Sequence, residues 1–266
     1  LEKIMDIPFS ITLLFLGLGG GFLSGLLGLG GAIFMIPLLL YVPPLLGVGQ
    51  LDMKQVAAVS MVQVLSASLS ALIVHHKNRF VSRSLLLYMG VCNAIGNLAG
   101  SVFSRNTKSS LLLAIFATMA VIAAVAMFIP KREQGENISP EELQYNKPLA
   151  ILLSLLIGSF GGMVGAPGAF IYIPAMIYLL NIPTRIVIGS TLGIVFLGAV
   201  MGTIGKMTTG QILWPYAIAL VIGTVPGAQL GGKMSKKVNT KYLRLAIAVI
   251  IAITGVRMWY QVLTGR

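Results

Sequence analysis

Charge is scarce in this chain, and acid scarcest of all. Only 10% of the 266 residues are charged, and seven of them are acids: Glu2, Asp6, Asp52, Glu133, Glu136, Glu141 and Glu142. None of the seven falls inside a long apolar run. There is one cysteine, Cys92, which excludes an internal disulfide framework or a CxxC redox pair and reads as a small buried packing residue. The two histidines, His75 and His76, are adjacent to Lys77 and have no third ligand nearby, so they read as a cluster at a membrane edge rather than a metal site. The apolar runs supply neither a Ser–His–acid set nor a metal-ligand cluster, which argues against an enzyme and against any metal or cofactor.

Apolar residues are what the chain has in abundance. They make up 56% of it, and a mean hydropathy of +0.92 is more than one water-soluble core can hide. The composition is that of a polytopic membrane protein. The net charge of +12 and isoelectric point near 10.0 come from basic residues scattered over short loops without interleaved aromatics. That is topogenic charge, and no nucleic-acid partner is expected. Cation and proton carriers usually hold their ion with carboxylates at membrane depth, so the acid-free runs point to anionic cargo. The amino end reads as a retained first span rather than a cleaved leader, since no small-residue cleavage site precedes the first long run.

A glycine-rich interruption occurs twice. Gly17 to Pro37 reads GLGGGFLSGLLGLGGAIFMIP and Gly158 to Pro174 reads GSFGGMVGAPGAFIYIP, aligning Gly28, Gly31, Ala32 and Pro37 with Gly165, Gly168, Ala169 and Pro174. The duplication predicts spans over 9–27, 56–74, 85–103 and 111–129 in the first half, and over 149–164, 186–204, 212–230 and 243–263 in the second. The runs after each break, 32–42 and 169–180, are half-helices, because a bilayer core of about 30 Å needs roughly 20 helical residues. Gly96 with Gly100, and Gly227 with Gly231, form small-xxx-small patterns for helix packing. Asn93 and Asn97, four apart beside Gly96, either line the path or bond across helices, and the second reading is preferred. The segment KREQGENISPEELQYNK between the halves carries a capping-box spacing, with Pro140 at the first position of a short surface helix.

The expected fold is therefore an all-α polytopic membrane protein of two inverted-topology repeats, each a Gly-broken re-entrant helical hairpin plus three transmembrane helices. Residues 1–130 form the N-terminal repeat, 131–147 a cytoplasmic linker and 148–266 the C-terminal repeat. If each hairpin leaves on the side it entered, twelve basic residues share one face and seven the other. One net crossing per hairpin would give a nearly even split, so the positive-inside rule favours re-entry and places both termini outside the cytoplasm. Two full crossings per hairpin would leave the same loops on the same faces.

Each break opens a new helix whose first turn offers unpaired N–H groups and the positive end of the helix dipole to an anion. Backbone left unpaired at membrane depth must be buried in protein or line a wet cavity. The candidate binding residues are Gly28, Gly30, Gly31 and Ala32 at the first break and Gly165, Pro167, Gly168 and Ala169 at the second. Ser24, Ser60 and Gln63 in the first half and Ser190 and Thr191 in the second add polar groups. Ser60 and Gln63, three apart, share a helix face. Lys206, at the end of a span, reads first as a topological charge on the outer face and second as an attractor of anions.

The motifs SGLLGLGGAIFMIP at Ser24 to Pro37 and GGMVGAPGAFIYIP at Gly161 to Pro174 resemble those of the TauE/SafE family of membrane permeases. The resemblance extends over nearly the whole chain and departs from the family at Ala32 and Ala169, where a third glycine is common, and at Pro167. It implies a cell-membrane transporter of sulfite, sulfonates or related sulfur oxyanions, often an exporter, with the lipid bilayer and a small anion as partners and a homo-oligomer as an option. Coupled uptake of organosulfonates or other organic anions is the alternative within transport, and an intramembrane scaffold the alternative outside it.

Overall fold

A computed structural model describes residues 7–27, 31–75, 81–128, 140, 143–234 and 255–264 of the chain. All regular structure among these residues is helical. In order the helices are α1 (Ile7–Leu27), α2 (Ala32–Leu45), α3 (Met53–His75), α4 (Arg83–Asn106), α5 (Ser109–Phe128), α6 (Lys147–Val164), α7 (Ala169–Leu179), α8 (Thr184–Thr208), α9 (Trp214–Met234) and α10 (255–264). Six of them, α1, α3, α4, α5, α6 and α8, are long and apolar enough to cross a membrane. α2 has 14 residues, about 21 Å of helix, and falls short of a bilayer core. α7 is shorter still and ends in a π-turn, Ala175–Leu179. The surface helix expected around Pro140 lies almost wholly outside the described residues, as does the first part of the last expected span.

Local sequence accounts for two of the helix starts. At Asp52-Met53-Lys54-Gln55 the Asp52 carboxylate accepts from the Gln55 backbone N–H (2.7 Å), while the Gln55 side chain accepts from the Asp52 N–H (3.0 Å). This reciprocal capping box opens α3. Asn146 caps α6 by accepting from the Leu149 N–H (3.1 Å), with Pro148 in the first turn, where a missing N–H costs nothing.

Each short helix doubles back on the one before it. Gly20 of α1 leaves room that the Met35 thioether of α2 fills, and Gly49, just past α2, lies against the Phe9 ring at the start of α1. Likewise Tyr172 of α7 donates its hydroxyl to the Ser154 carbonyl of α6 (3.2 Å). The chain after α2 is thus back at the end of the molecule where α1 began.

Two glycine seams hold the bundle together, and they are copies of one another. Gly17, Gly21 and Gly25 of α1 rest on the backbone of Leu220, Thr224 and Ala228 of α9; Gly223, Gly227 and Gly231 of α9 rest on Leu14, Leu18 and Phe22 of α1. In the second seam, Gly96 and Gly100 of α4 rest on Leu155 and Ser159 of α6, and Gly158 and Gly162 of α6 on Asn93 and Asn97 of α4. A Cβ at any of these glycines would overlap a neighbouring backbone carbonyl. Contact for contact, Gly227 on Leu18 answers Gly96 on Leu155, and Gly21 on Thr224 answers Gly158 on Asn93. In both seams residue numbers rise together, so the paired helices are parallel. Lipid gives no hydrophobic drive for helix pairing, and close backbone approach at small residues supplies dispersion and Cα–H···O contacts instead.

Asn93 bonds across helices as the sequence suggests, donating to the Ile194 carbonyl of α8 (2.9 Å). Asn97 in turn donates to the Asn93 side-chain oxygen (2.7 Å). Cys92 differs from expectation in being only half-buried, one turn before Gly96 on the α4 face that meets α6.

Candidate functional site

The first break is built by Gly31, which takes φ +78 and opens α2. An L side chain is strained in that conformation, so the turn calls for glycine. The Gly31 carbonyl accepts from the N–H groups of Phe34 (3.2 Å) and Met35 (3.0 Å). The N–H groups of Ala32 and Ile33, ahead of them, find no acceptor among the described residues. Gly28 and Gly30 lie outside the described residues.

Two polar side chains converge on this helix start. A methyl group placed on Gly31 would lie 3.2 Å from Ser24 Oγ of α1 and 3.3 Å from Gln63 Nε2 of α3. Ser24 is 1% exposed and Gln63 wholly buried. Neither the Ser24 hydroxyl nor either end of the Gln63 carboxamide has a hydrogen-bond partner among the described residues. An unpaired buried polar group costs about 1–3 kcal/mol, so three such atoms clustered at one helix start are a strong demand for a polar partner, and since one added carbon at Gly31 would already lie 2.9 Å from the Ser24 Cβ, an occupant requires these helices to part. Ile33, Met35 and Ile36 of α2 and Val59 of α3 are buried in the apolar core of the bundle.

At the second break Gly165 closes α6 at φ +78 and Gly168 opens α7 at φ +91, with Ala166 and Pro167 buried between them. The Gly168 carbonyl accepts from Ile171 and Tyr172 (both 2.9 Å), so Ala169 starts its helix as Ala32 does. The surroundings differ. A side chain on Gly168 would meet Ile157 and the Tyr172 ring, and Gly165 is pressed onto Ala57 of α3. Ser60 donates to the Gly165 carbonyl (2.9 Å), which ties α3 to this break. Ser60 and Gln63, one turn apart, thus reach different breaks, and α3 bridges them. Ser190 accepts from the Ser82 N–H (3.0 Å) and Thr191 donates to the Val187 carbonyl (2.7 Å), so both are engaged with backbone.

Lys206 corrects the sequence reading. It is not an outer-face charge but fully buried, and it is the only charged side chain so buried among the described residues. Its ammonium donates to Ser104 Oγ (2.6 Å), the Met163 carbonyl (3.2 Å) and Gln211 Oε1 (3.2 Å). Three neutral acceptors satisfy its three donors and leave its charge uncompensated. Met163 stands two residues before Gly165, so the cation sits behind the second break. The available signal was the polar run Thr208-Thr209-Gly210-Gln211: Gly210 turns at φ +66 and lets Gln211 fold back over the lysine. His76, which aligns with Lys206, lies outside the described residues.

Apolar helices long enough to span, two helices that start at interior glycines, and a cluster of unpaired buried polar groups fit a multi-pass membrane transporter. Comparison with known proteins makes the assignment more particular. The family described as sulfite exporter TauE/SafE matches residues 13–258, and the chain belongs to that family. Among its relatives are the probable membrane transporter protein YunE of Bacillus subtilis, 24% identical over 94% of this chain and 97% of its own length. A probable membrane transporter protein of Xylella fastidiosa is 28% identical over 92% and 94%. The probable membrane transporter protein MJ0441 of Methanocaldococcus jannaschii is 22% identical over 92% and 94%. No solved structure matches the chain.

Proposed function

We propose that this chain carries a small sulfur oxyanion, sulfite foremost, across the cytoplasmic membrane, and that the anion binds at the first break between Ser24, Gly31 and Gln63. The observation that carries the reading is the convergence of those three residues, with unpaired buried donors, at a helix start inside an apolar bundle. The N–H groups of Ala32 and Ile33 and the dipole of α2 add to the attraction. Lys206 and the start of α7 at Gly168 and Ala169 provide a second positive region, with Gly165, Pro167 and Ser60 shaping it. Gly28, Gly30, Ser190 and Thr191 complete the proposed lining. Acid-free helices suit an anion and not a cation.

The two halves are read as inverted repeats. In the first half α1 runs one way, α2 returns, α3 runs forward and α4 back, so α1 and α4 are antiparallel. α4 is parallel to α6, the first helix of the second half, which therefore runs opposite to α1. Two such broken helices facing each other near the midplane follow a known transporter logic. The linker face carries the larger share of Lys and Arg and is assigned to the cytoplasm, with both termini outside. Outward movement is favoured because an inside-negative potential of 100 mV is worth about 2.3 kcal/mol per negative charge leaving.

Flux of sulfite, thiosulfate and methanesulfonate, measured in liposomes holding the purified protein under an imposed potential, tests the proposal. Sulfite should move faster than in protein-free liposomes; movement of none of the three would overturn it.

A further inference from the structure

We infer that the gap at Gly31 takes its oxyanion as the protonated monoanion, carrying one O–H, and excludes the bare dianion. The inference rests on the transport reading above and comes from the hydrogen-bonding arithmetic of Gln63. A carboxamide has a donor end and an acceptor end, and both ends of this one are buried and unpaired among the described residues. Whichever way the amide is turned, its carbonyl oxygen needs a donor. The other groups at the gap are also seeking an acceptor or can serve one: the Ser24 hydroxyl, the Gln63 N–H groups and the N–H groups at the start of α2. A dianion offers acceptors alone. It would satisfy these donors while setting an anionic oxygen against the Gln63 carbonyl.

A hydrogen-oxyanion such as hydrogen sulfite meets both needs. Its O–H donates to the Gln63 carbonyl, and its remaining oxygens accept from Ser24, from the Gln63 amide and from the backbone. Charge points the same way, because the cost of drying an ion rises steeply with its charge and no cation among the described residues touches Ser24, Gly31 or Gln63. Lys206 is committed to Ser104, Met163 and Gln211 behind the other break.

The proton that matters belongs to the ligand. α1, which contributes Ser24, has no titratable side chain, and neither does α5. On the other helices packed against α3 the titratable residues fall late in α2 (Tyr41), at the start of α6 (Lys147), in the last turn of α8 (Lys206), where the ammonium is held by Ser104, Met163 and Gln211, and at the two ends of α9 (Tyr216 and Lys233); at the start of α8, the position of Arg185 is given by the sequence alone. On α3 itself they are Lys54 and His75, at its ends; Tyr172 of α7 faces Ser154.

The test uses the full chain in liposomes and compares sulfite, which titrates near neutral pH, with methanesulfonate, a monoanion with no proton to give. Expected is one charge moved per sulfite, a sulfite rate that falls about tenfold per pH unit above its ionisation, and methanesulfonate slower by at least about tenfold where hydrogen sulfite prevails. Gln63→Met should bring the two anions within a factor of about three. Two charges per sulfite, a rate flat across the ionisation, or methanesulfonate as fast as hydrogen sulfite would each overturn the inference. A binding readout separates this from the transport reading: sulfite should raise the melting temperature of the detergent-purified protein on the acid side of its ionisation and not on the alkaline side. That pattern without flux would sink transport and keep the site. Equal stabilisation on both sides, or none on either, would sink the site.

Discussion

One methyl group at Gly31 distinguishes a binding gap from a mere turn. Gly31→Ala puts an L side chain at φ +78, which costs about 1–2 kcal/mol whatever surrounds it. It also sets the new carbon 2.9 Å from the Ser24 Cβ and 3.2 Å from its hydroxyl, well inside the 3.5–4.0 Å at which carbon atoms rest. The Ser24 Cβ is fixed by the α1 backbone and cannot rotate away, so overpacking adds about 1–3 kcal/mol. Gly47→Ala provides the matched control: its φ is +68, and a Cβ there meets nothing within 4 Å. The strain is shared and the filling is not. Both variants should melt below the parent, Gly31→Ala further by about 1–3 kcal/mol of stability. In liposomes Gly47→Ala should move sulfite at the parental rate, while Gly31→Ala should lose at least about tenfold, equivalent to 1.4 kcal/mol of lost anion binding. Parental flux in Gly31→Ala liposomes, after correction for the amount of folded protein, would refute the placement of the anion there.

Three further outcomes are expected. Lys206→Met removes the buried charge behind the second break. A buried positive charge attracts an anion anywhere in the low-dielectric bundle, so sulfite flux should fall. Ser104 and Gln211 keep their mutual bond (3.0 Å) but the Met163 carbonyl loses its donor, so the variant should melt lower by about 1–3 kcal/mol of stability; undiminished flux per folded protein would remove Lys206 from the route. Gly96→Leu and Gly227→Leu strike corresponding points of the two glycine seams, and each should abolish the monodisperse folded peak in gel filtration of detergent extracts. A sharp parental peak from either would show that its seam tolerates separation. Tyr172→Phe deletes the 3.2 Å bond to the Ser154 carbonyl and should cost about 0.5–1.5 kcal/mol in thermal melting with sulfite flux unchanged. A large loss of flux would place the hydroxyl on the route.

Helix positions were the most readable part of the chain, because apolar length and glycine breaks act locally. The α2 and α7 starts at Ala32 and Ala169 follow from glycines that alone tolerate the required φ. Asp52 and Gln55 carry a capping spacing that hydropathy alone passes over, and α3 accordingly starts at Met53, ahead of the expected 56. What the sequence could not assign was the partner of each polar side chain. Ser60 and Gln63 look equivalent on a helical wheel, yet one is spent on the Gly165 carbonyl and the other is left unpaired, a difference set by how α6 and α2 cross α3. Lys206 was misread for a related reason. A lysine in the last turn of a span normally reaches for water, and only the turn at Gly210 brings Gln211 back to cover it.

The twin seams impose an order of assembly. They make the same contacts, but the residues that meet across α4 and α6 are about 60 positions apart in the chain, and those across α1 and α9 about 200. At a synthesis rate of about 5–20 residues per second, α1 waits roughly 10–40 s in the bilayer before α9 emerges to cover its glycine face. The α4–α6 seam closes first, and the helix carrying Ser24 is locked in last. The binding gap is therefore completed only when nearly the whole chain has been made.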